Sequence, residues 1–186
     1  LVGGVETLFG TQGQSLEEYA SSIGSTVEEA SASYAALENA QSTVLENASN
    51  AYKTAGLSAN DYMEQATSTA ASLISSLGGD TEAAAALADQ AITDMSDNAN
   101  KMGTDIESIQ NAYSGFAKGN YTMLDNLKLG YGGTKEEMER LLEDAEALSG
   151  VEYDISSYAD ITEAIHVIQE DMGIAGTTAK EAQETI

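Results

Sequence analysis

Residues 134–148, TKEEMERLLEDAEAL, decide the fold. Thr134 and Glu137 have capping-box spacing, which satisfies free backbone N–H groups at the start of a helix. Met138, Leu141, Leu142, Ala145 and Leu148 then recur at intervals of three and four, which places them on one face of that helix. Glu136, Glu139, Arg140 and Glu143 fall on the opposite, solvated face. Such a face has to be buried against another, and its counterparts lie on both sides. Downstream, Ile161, Ala164, Ile165, Ile168 and Met172 repeat the pattern as far as Gly173, after which Thr177 reads as a further cap. Upstream, Thr104 is the expected cap of a helix to about Lys118, and Tyr121–Leu129 reads as another.

Farther upstream the helices lengthen. Ser15 with Glu18 opens a short helix to about Ser22, closed by Gly24, and Ser25 with Glu28 opens one that runs to about Thr54. In the latter, Val27, Ala30, Tyr34, Leu37, Val44, Ala48 and Ala51 follow heptad spacing, with Gln41 interrupting the seam. Ser58 starts a helix whose stripe is Tyr62, Ala66, Ala70, Leu73 and Leu77; Gly78 and Gly79 stop it, and Asp80 caps the next, to about Met102. A turn this short predicts an antiparallel hairpin. Proline is absent. The predicted fold class is all-α, a string of antiparallel amphipathic helices in hairpins or a bundle, with Gly-rich loops. Two regions are expected, a long-helix hairpin region over residues 1–102 and a compact short-helix region over residues 103–186.

Thirty-one acidic residues against seven basic ones give a formal charge of -24. No Lys or Arg precedes Lys53. Affinity for nucleic acid comes largely from cations that displace counterions, so nucleic-acid binding is not expected, and an anionic membrane surface would repel the chain. Without cysteine there is no disulfide and no thiolate metal site. No apolar run is long enough to span a bilayer, and the start lacks the basic region of a signal peptide. Because it opens Leu1-Val2-Gly3-Gly4 without an initiator Met, the chain reads as an excised segment of a longer protein.

The candidate chemistry is thin. Gly130, Gly132 and Gly133 precede Thr134 and Lys135, but a phosphate-binding loop needs a different order of residues after a strand, so a turn between helices is expected. His166 is the single histidine and lacks the partners of a zinc site; a structural or surface role is expected. The carboxylate pairs Glu28/Glu29, Glu136/Glu137 and Asp160/Glu163 could serve glycoside hydrolysis, but they fall on solvated helix faces, and Trp, a frequent sugar-stacking residue, is absent. Asp94, Asp97 and Asn98, followed by Asp105, miss the spacing of a calcium loop. No catalytic, cofactor or metal residue is therefore expected. Tyr113, Phe116, Tyr121, Met123, Tyr131 and Met138 concentrate the larger apolar groups in the second half as core, or as a partner surface if exposed together.

Residues 118–138, KGNYTMLDNLKLGYGGTKEEM, closely resemble the tail tape measure proteins of long-tailed bacteriophages and prophages of Gram-positive bacteria. The likeness extends through residues 91–117 and 151–179, and residues 50–64, NAYKTAGLSANDYME, share it. The resemblance implies a non-enzymatic structural role. Such proteins occupy the lumen of the virion tail after assembly in the host bacterial cytoplasm, set tail length, and leave through the tail tip during DNA ejection. Implied partners are the tail tube protein, tail assembly chaperones and tail-tip proteins, with self-association open. The alternative is a helical binding module that contacts a tail-tip or host envelope protein. Its surface would be drawn from Tyr121, Tyr131, Gly132, Gly133 and Met138.

Overall fold

The structure is a computed structural model and describes residues 2–184. Among the described residues it is all-α, with nine α-helices: α1 Val2–Phe9, α2 Leu16–Ser22, α3 Val27–Ala55, α4 Ala59–Ser76, α5 Thr81–Met102, α6 Ile106–Ala117, α7 Lys135–Ser149, α8 Tyr158–Asp171 and α9 Thr177–Glu184. None is long and apolar enough to cross a membrane. Packing divides the chain into one unit of residues 1–51 with 58–89 and another of residues 52–57 with 90–186. The division thus falls inside α5, ahead of Gly103, where the sequence changes texture. It falls there because the C-terminal half of α5 supplies Asp94, Asp97 and Asn98 to the interior of the second unit.

In the first unit α1 packs on α4 through the buried Val5 and Phe9. Residues 2–9, VGGVETLF, carry two glycines, which disfavour an isolated helix, so α1 owes its form to this burial. The α4 stripe is buried as its spacing predicts, at Tyr62, Ala66, Ala70 and Leu73. The hydroxyl of Tyr62 donates to Asp89 Oδ1 at 2.6 Å, tying α4 to α5. The seam of α3 is buried where its spacing predicts at Ala30, Val44, Ala48 and Ala51, with Ala40 buried beside the interrupting Gln41 and Val27 exposed at the first turn.

In the second unit α7 packs against α8, and α6 against α8 and a 3-10 turn at Leu124–Leu127. That turn is all that forms of the helix expected over Tyr121–Leu129, because Lys128 enters the left-handed region at φ 55° and ends it. The interior is built on Met138, Leu141, Ile161, Ala164 and Ile165, with Ile109, Tyr113 and Phe116 from α6. Glu139 of α7 shares a cleft with Asp160 near the start of α8, whereas Leu148 near the end of α7 shares a groove with Met172, just past the end of α8.

Two expected caps are corrected. α6 is capped by Asp105, whose carboxylate accepts from Ser108 N, while Thr104 turns inward to donate to Asn98 Oδ1 at 2.7 Å. Thr177 is the first residue of α9 and donates its hydroxyl to Ile174 O. The carboxylate at that helix start comes from Asp97 of α5, which accepts from Gly176 N at 2.7 Å and Thr178 N at 2.9 Å.

Candidate functional site

The loop ahead of α7 is closed by one side chain from the helix it introduces. Thr134 Oγ1 caps α7 by accepting from Glu137 N at 3.1 Å. Glu137 makes the return half of the box to Gly132 N, at 3.0 Å, two residues ahead of Thr134 itself. The same carboxylate receives Arg140 Nε at 2.7 Å and Nη2 at 3.0 Å. These bonds, the Arg140 ones first, hold the Glu137 carboxyl down at about 2. Arg140 also donates to Gly130 O at 2.8 Å and lies 4.3 Å from the centre of the Tyr131 ring, a cation–π distance. The Tyr131 hydroxyl donates to Asp144 Oδ2. Burial, then this carboxylate, raises the phenol well above its ordinary range.

Each residue of the expected partner surface can now be placed. Met138 is fully buried and offers no surface, because it stands at the centre of the α7 face that α8 covers. Tyr131 is 9% exposed and spends its hydroxyl and one ring face inside the loop. Gly133 is a glycine for steric reasons, since a Cβ there would lie 2.3 Å from the backbone oxygen of Thr122. Gly132 meets no such obstacle; its backbone N–H is what the loop uses. Tyr121 is half-buried and stacks on Phe116 with ring centres 6.5 Å apart. These residues build the loop more than they display it.

What lies open is next to it. A groove of about 350 Å³ is lined by the apolar Leu129, Tyr131, Leu148, Ile168 and Met172, with Asp144 and Asp171 among them. A separate cleft of about 550 Å³ carries Glu139, Glu143, Glu146, Glu152, Asp154 and Asp160. Asp154 there is occupied as an acceptor of Ser156 N and Oγ, which holds its carboxyl below the usual range.

A polar cluster inside the second unit joins residues that the sequence reading took singly, the rejected calcium candidates Asp94, Asp97 and Asn98 and the lone His166. Asp94, Asp97 and Asn98 occupy one face of α5 and are all buried. Asp94 faces His166 Nδ1 at 2.9 Å, and His166 Nε2 lies 3.3 Å from Glu170 Oε2. Desolvation pushes the Asp94 carboxyl up to about 6 against the pull of His166. The hydrogen bond to Asp94 in turn raises His166. With a carboxylate at each ring nitrogen, the imidazole is arranged to hold a proton. The readable signal was the spacing of three and four, which set these side chains on the same buried faces as their apolar neighbours. No protein family, curated protein or solved structure matches the chain.

Proposed function

We propose that this chain is a non-enzymatic structural segment of a phage or prophage tail tape measure protein, acting in tail length determination, tail assembly and passage through the tail tip during DNA ejection. The observation that carries the reading is a coincidence of position. The stretches that resemble that family, residues 91–117, 118–138 and 151–179 with part of 50–64, gather in the second packing unit. The resemblance therefore follows a module with its own interior. A proline-free helical chain also suits a ruler, and a surface at -24 would not retain DNA passing through the same channel. Its partners on this reading are the tail tube protein, assembly chaperones and tail-tip proteins, in the tail lumen after assembly in the bacterial cytoplasm.

Tail length by electron microscopy after in-frame deletion of residues 1–186 from the parent gene tests it. If the whole segment lies extended as helix, tails shorten by roughly 280 Å at about 1.5 Å per residue. A second unit that stays folded in the tail gives a smaller shortening. Unchanged tails with normal infection would sink the reading. The second reading, a binding module for a tail-tip or host envelope protein, is favoured by the open groove beside Tyr131. On that reading Tyr131→Ser abolishes infection at normal tail length, and full infection rejects it.

A further inference from the structure

The apolar faces of α7 and α8 each extend one position beyond what the fold covers. Met138, Leu141 and Ala145 are wholly buried, yet Leu148, the next member of that face, is 50% exposed. Ile161 and Ile165 are likewise buried, and Met172 is 43% exposed. The two uncovered ends line the same groove. Its about 350 Å³ sits at the small end of ligand cavities and is open along the side of Leu148 and Met172, so it suits a few side chains of a helix more than an enclosed small molecule.

The charge of the groove selects among occupants. The two lining residues that carry charge at neutral pH, Asp144 and Asp171, are both acidic. Arg140, the cation beside it, is already committed to Glu137 and Gly130 O. Asp144 spends Oδ2 on Tyr131 and, at 3.9 Å, on Arg140, which leaves Oδ1 as an acceptor. A second copy of a chain at -24 would bring like charge to this rim. We propose that the groove docks a short basic amphipathic helix of another protein, its apolar residues seated on Leu148 and Met172 and its Lys or Arg residues set against Asp144 and Asp171. The inference rests on the binding-module reading and names the chemistry of the partner; the Tyr131 infection test judges that reading separately.

The test is an NMR titration of the whole labelled chain with two synthetic helical peptides. One has leucines at i, i+3, i+4 and i+7 and lysines elsewhere; the other has glutamate for every lysine. The lysine peptide is expected to shift the Leu148 and Met172 methyl resonances saturably, and the glutamate peptide to shift nothing. Leu148→Asn and Met172→Asn should each weaken binding at least tenfold without lowering the melting temperature, since both side chains are half-exposed. Asp171→Lys should weaken it as well. Shifts spread over the acidic surface, equal affinity in the variants, or equal binding of the two peptides would overturn the proposal. Self-association of the chain that Leu148→Asn abolishes would also overturn it, by giving the groove to a second copy.

Discussion

His166 Nδ1 lies 2.9 Å from Oδ1 and 3.0 Å from Oδ2 of Asp94, a residue 72 positions earlier in the chain. Asp97 and Glu170 also face the pair and raise His166 further. Both partners hold protons more tightly in the folded state than in an unfolded chain, Asp94 up to about 6 by desolvation and His166 above its ordinary value. A raised folded pKa gives stability that is complete below the unfolded value and lost as pH rises through the folded one. For Asp94 that window runs from about 4 to about 6, and for His166 it opens at about 6.5 and extends upward. Glu137, held at about 2, acts oppositely and loses its contribution only as pH falls below about 4.5. The melting temperature should therefore be higher at pH 5 than at pH 8. General repulsion at -24 has the same sign, so the discriminating result is that His166→Ala flattens the slope above about pH 6.5. An unchanged slope in that variant would clear the pair of the effect.

Asn98 links three elements at once. Its Nδ2 donates to Leu127 O at 2.9 Å and to Gln169 Oε1 at 2.8 Å, and its Oδ1 accepts from Thr104. Gln169 continues the chain by donating to Asp94 O at 3.0 Å. Asn98→Leu strands two buried acceptors, Leu127 O and Gln169 Oε1, and the half-buried Thr104 hydroxyl, and should cost about 2–4 kcal/mol in chemical denaturation. Gln169→Leu added to it should cost less than it does alone, because the shared bond is already gone. Strict additivity would show that the two amides are energetically separate.

The helices were legible because their signals are local. Ser15, Ser58 and Thr134 cap where their spacing says, and Met138, Leu141 and Ala145 are buried where their period says. Misreadings arose where tertiary bonds redirected a local signal. Thr104 turned to Asn98 and left the cap of α6 to its neighbour Asp105, and the start of α9 drew its carboxylate from the distant Asp97. α1 depends on burial of Val5 and Phe9 against α4, which no window of eight residues reveals. The Tyr131 loop was legible as a turn. Its wiring was not, since Glu137 to Gly132 and Arg140 to Gly130 are set by how the loop folds back on α7.

Adjacent glycines in that loop should respond in opposite ways. A Cβ at Gly133 would stand 2.3 Å from Thr122 O and 2.9 Å from its carbonyl carbon, both backbone atoms that cannot turn aside. At Gly132 the nearest atom is Glu137 Cγ at 3.4 Å, the flexible stem of a side chain. Gly133→Ala should destabilise the chain by about 2 kcal/mol or more and move the Tyr131 ring signals, and Gly132→Ala should stay within about 1 kcal/mol. Equal effects would show that the contact with Thr122 relaxes freely.

Two tyrosines of equal burial differ in what their hydroxyls meet. Tyr62 and Tyr113 are each 1% exposed. Tyr62 donates to Asp89, whereas the Tyr113 oxygen is buried with no hydrogen-bond partner. Tyr113→Phe removes an unsatisfied polar atom and should leave stability unchanged or raise it by about 1 kcal/mol. Tyr62→Phe removes a hydrogen bond to a carboxylate and should cost about 1.5–3 kcal/mol. Denaturant midpoints with the opposite ranking would mean that Tyr113 has a partner in solution, such as a buried water.

α9 is a short helix whose start is held from outside its own sequence. Both Asp97 oxygens are used, one on Gly176 N and the other on Thr178 N, and Asp97 is fully buried. A capping side chain is worth about 1 kcal/mol on average and up to about 2. Here the cap also anchors the segment to α5, so Asp97→Ala removes cap and anchor together. Hydrogen exchange at Gly176 and Thr178 should accelerate far more than at Ile165 or Leu141 in the interior, because the loss acts on local opening before global unfolding. Asp97→Asn, which keeps one acceptor oxygen, should fall between the wild type and Asp97→Ala. If exchange at Gly176 and Thr178 is unmoved by either substitution, the hold on α9 comes from elsewhere in its packing.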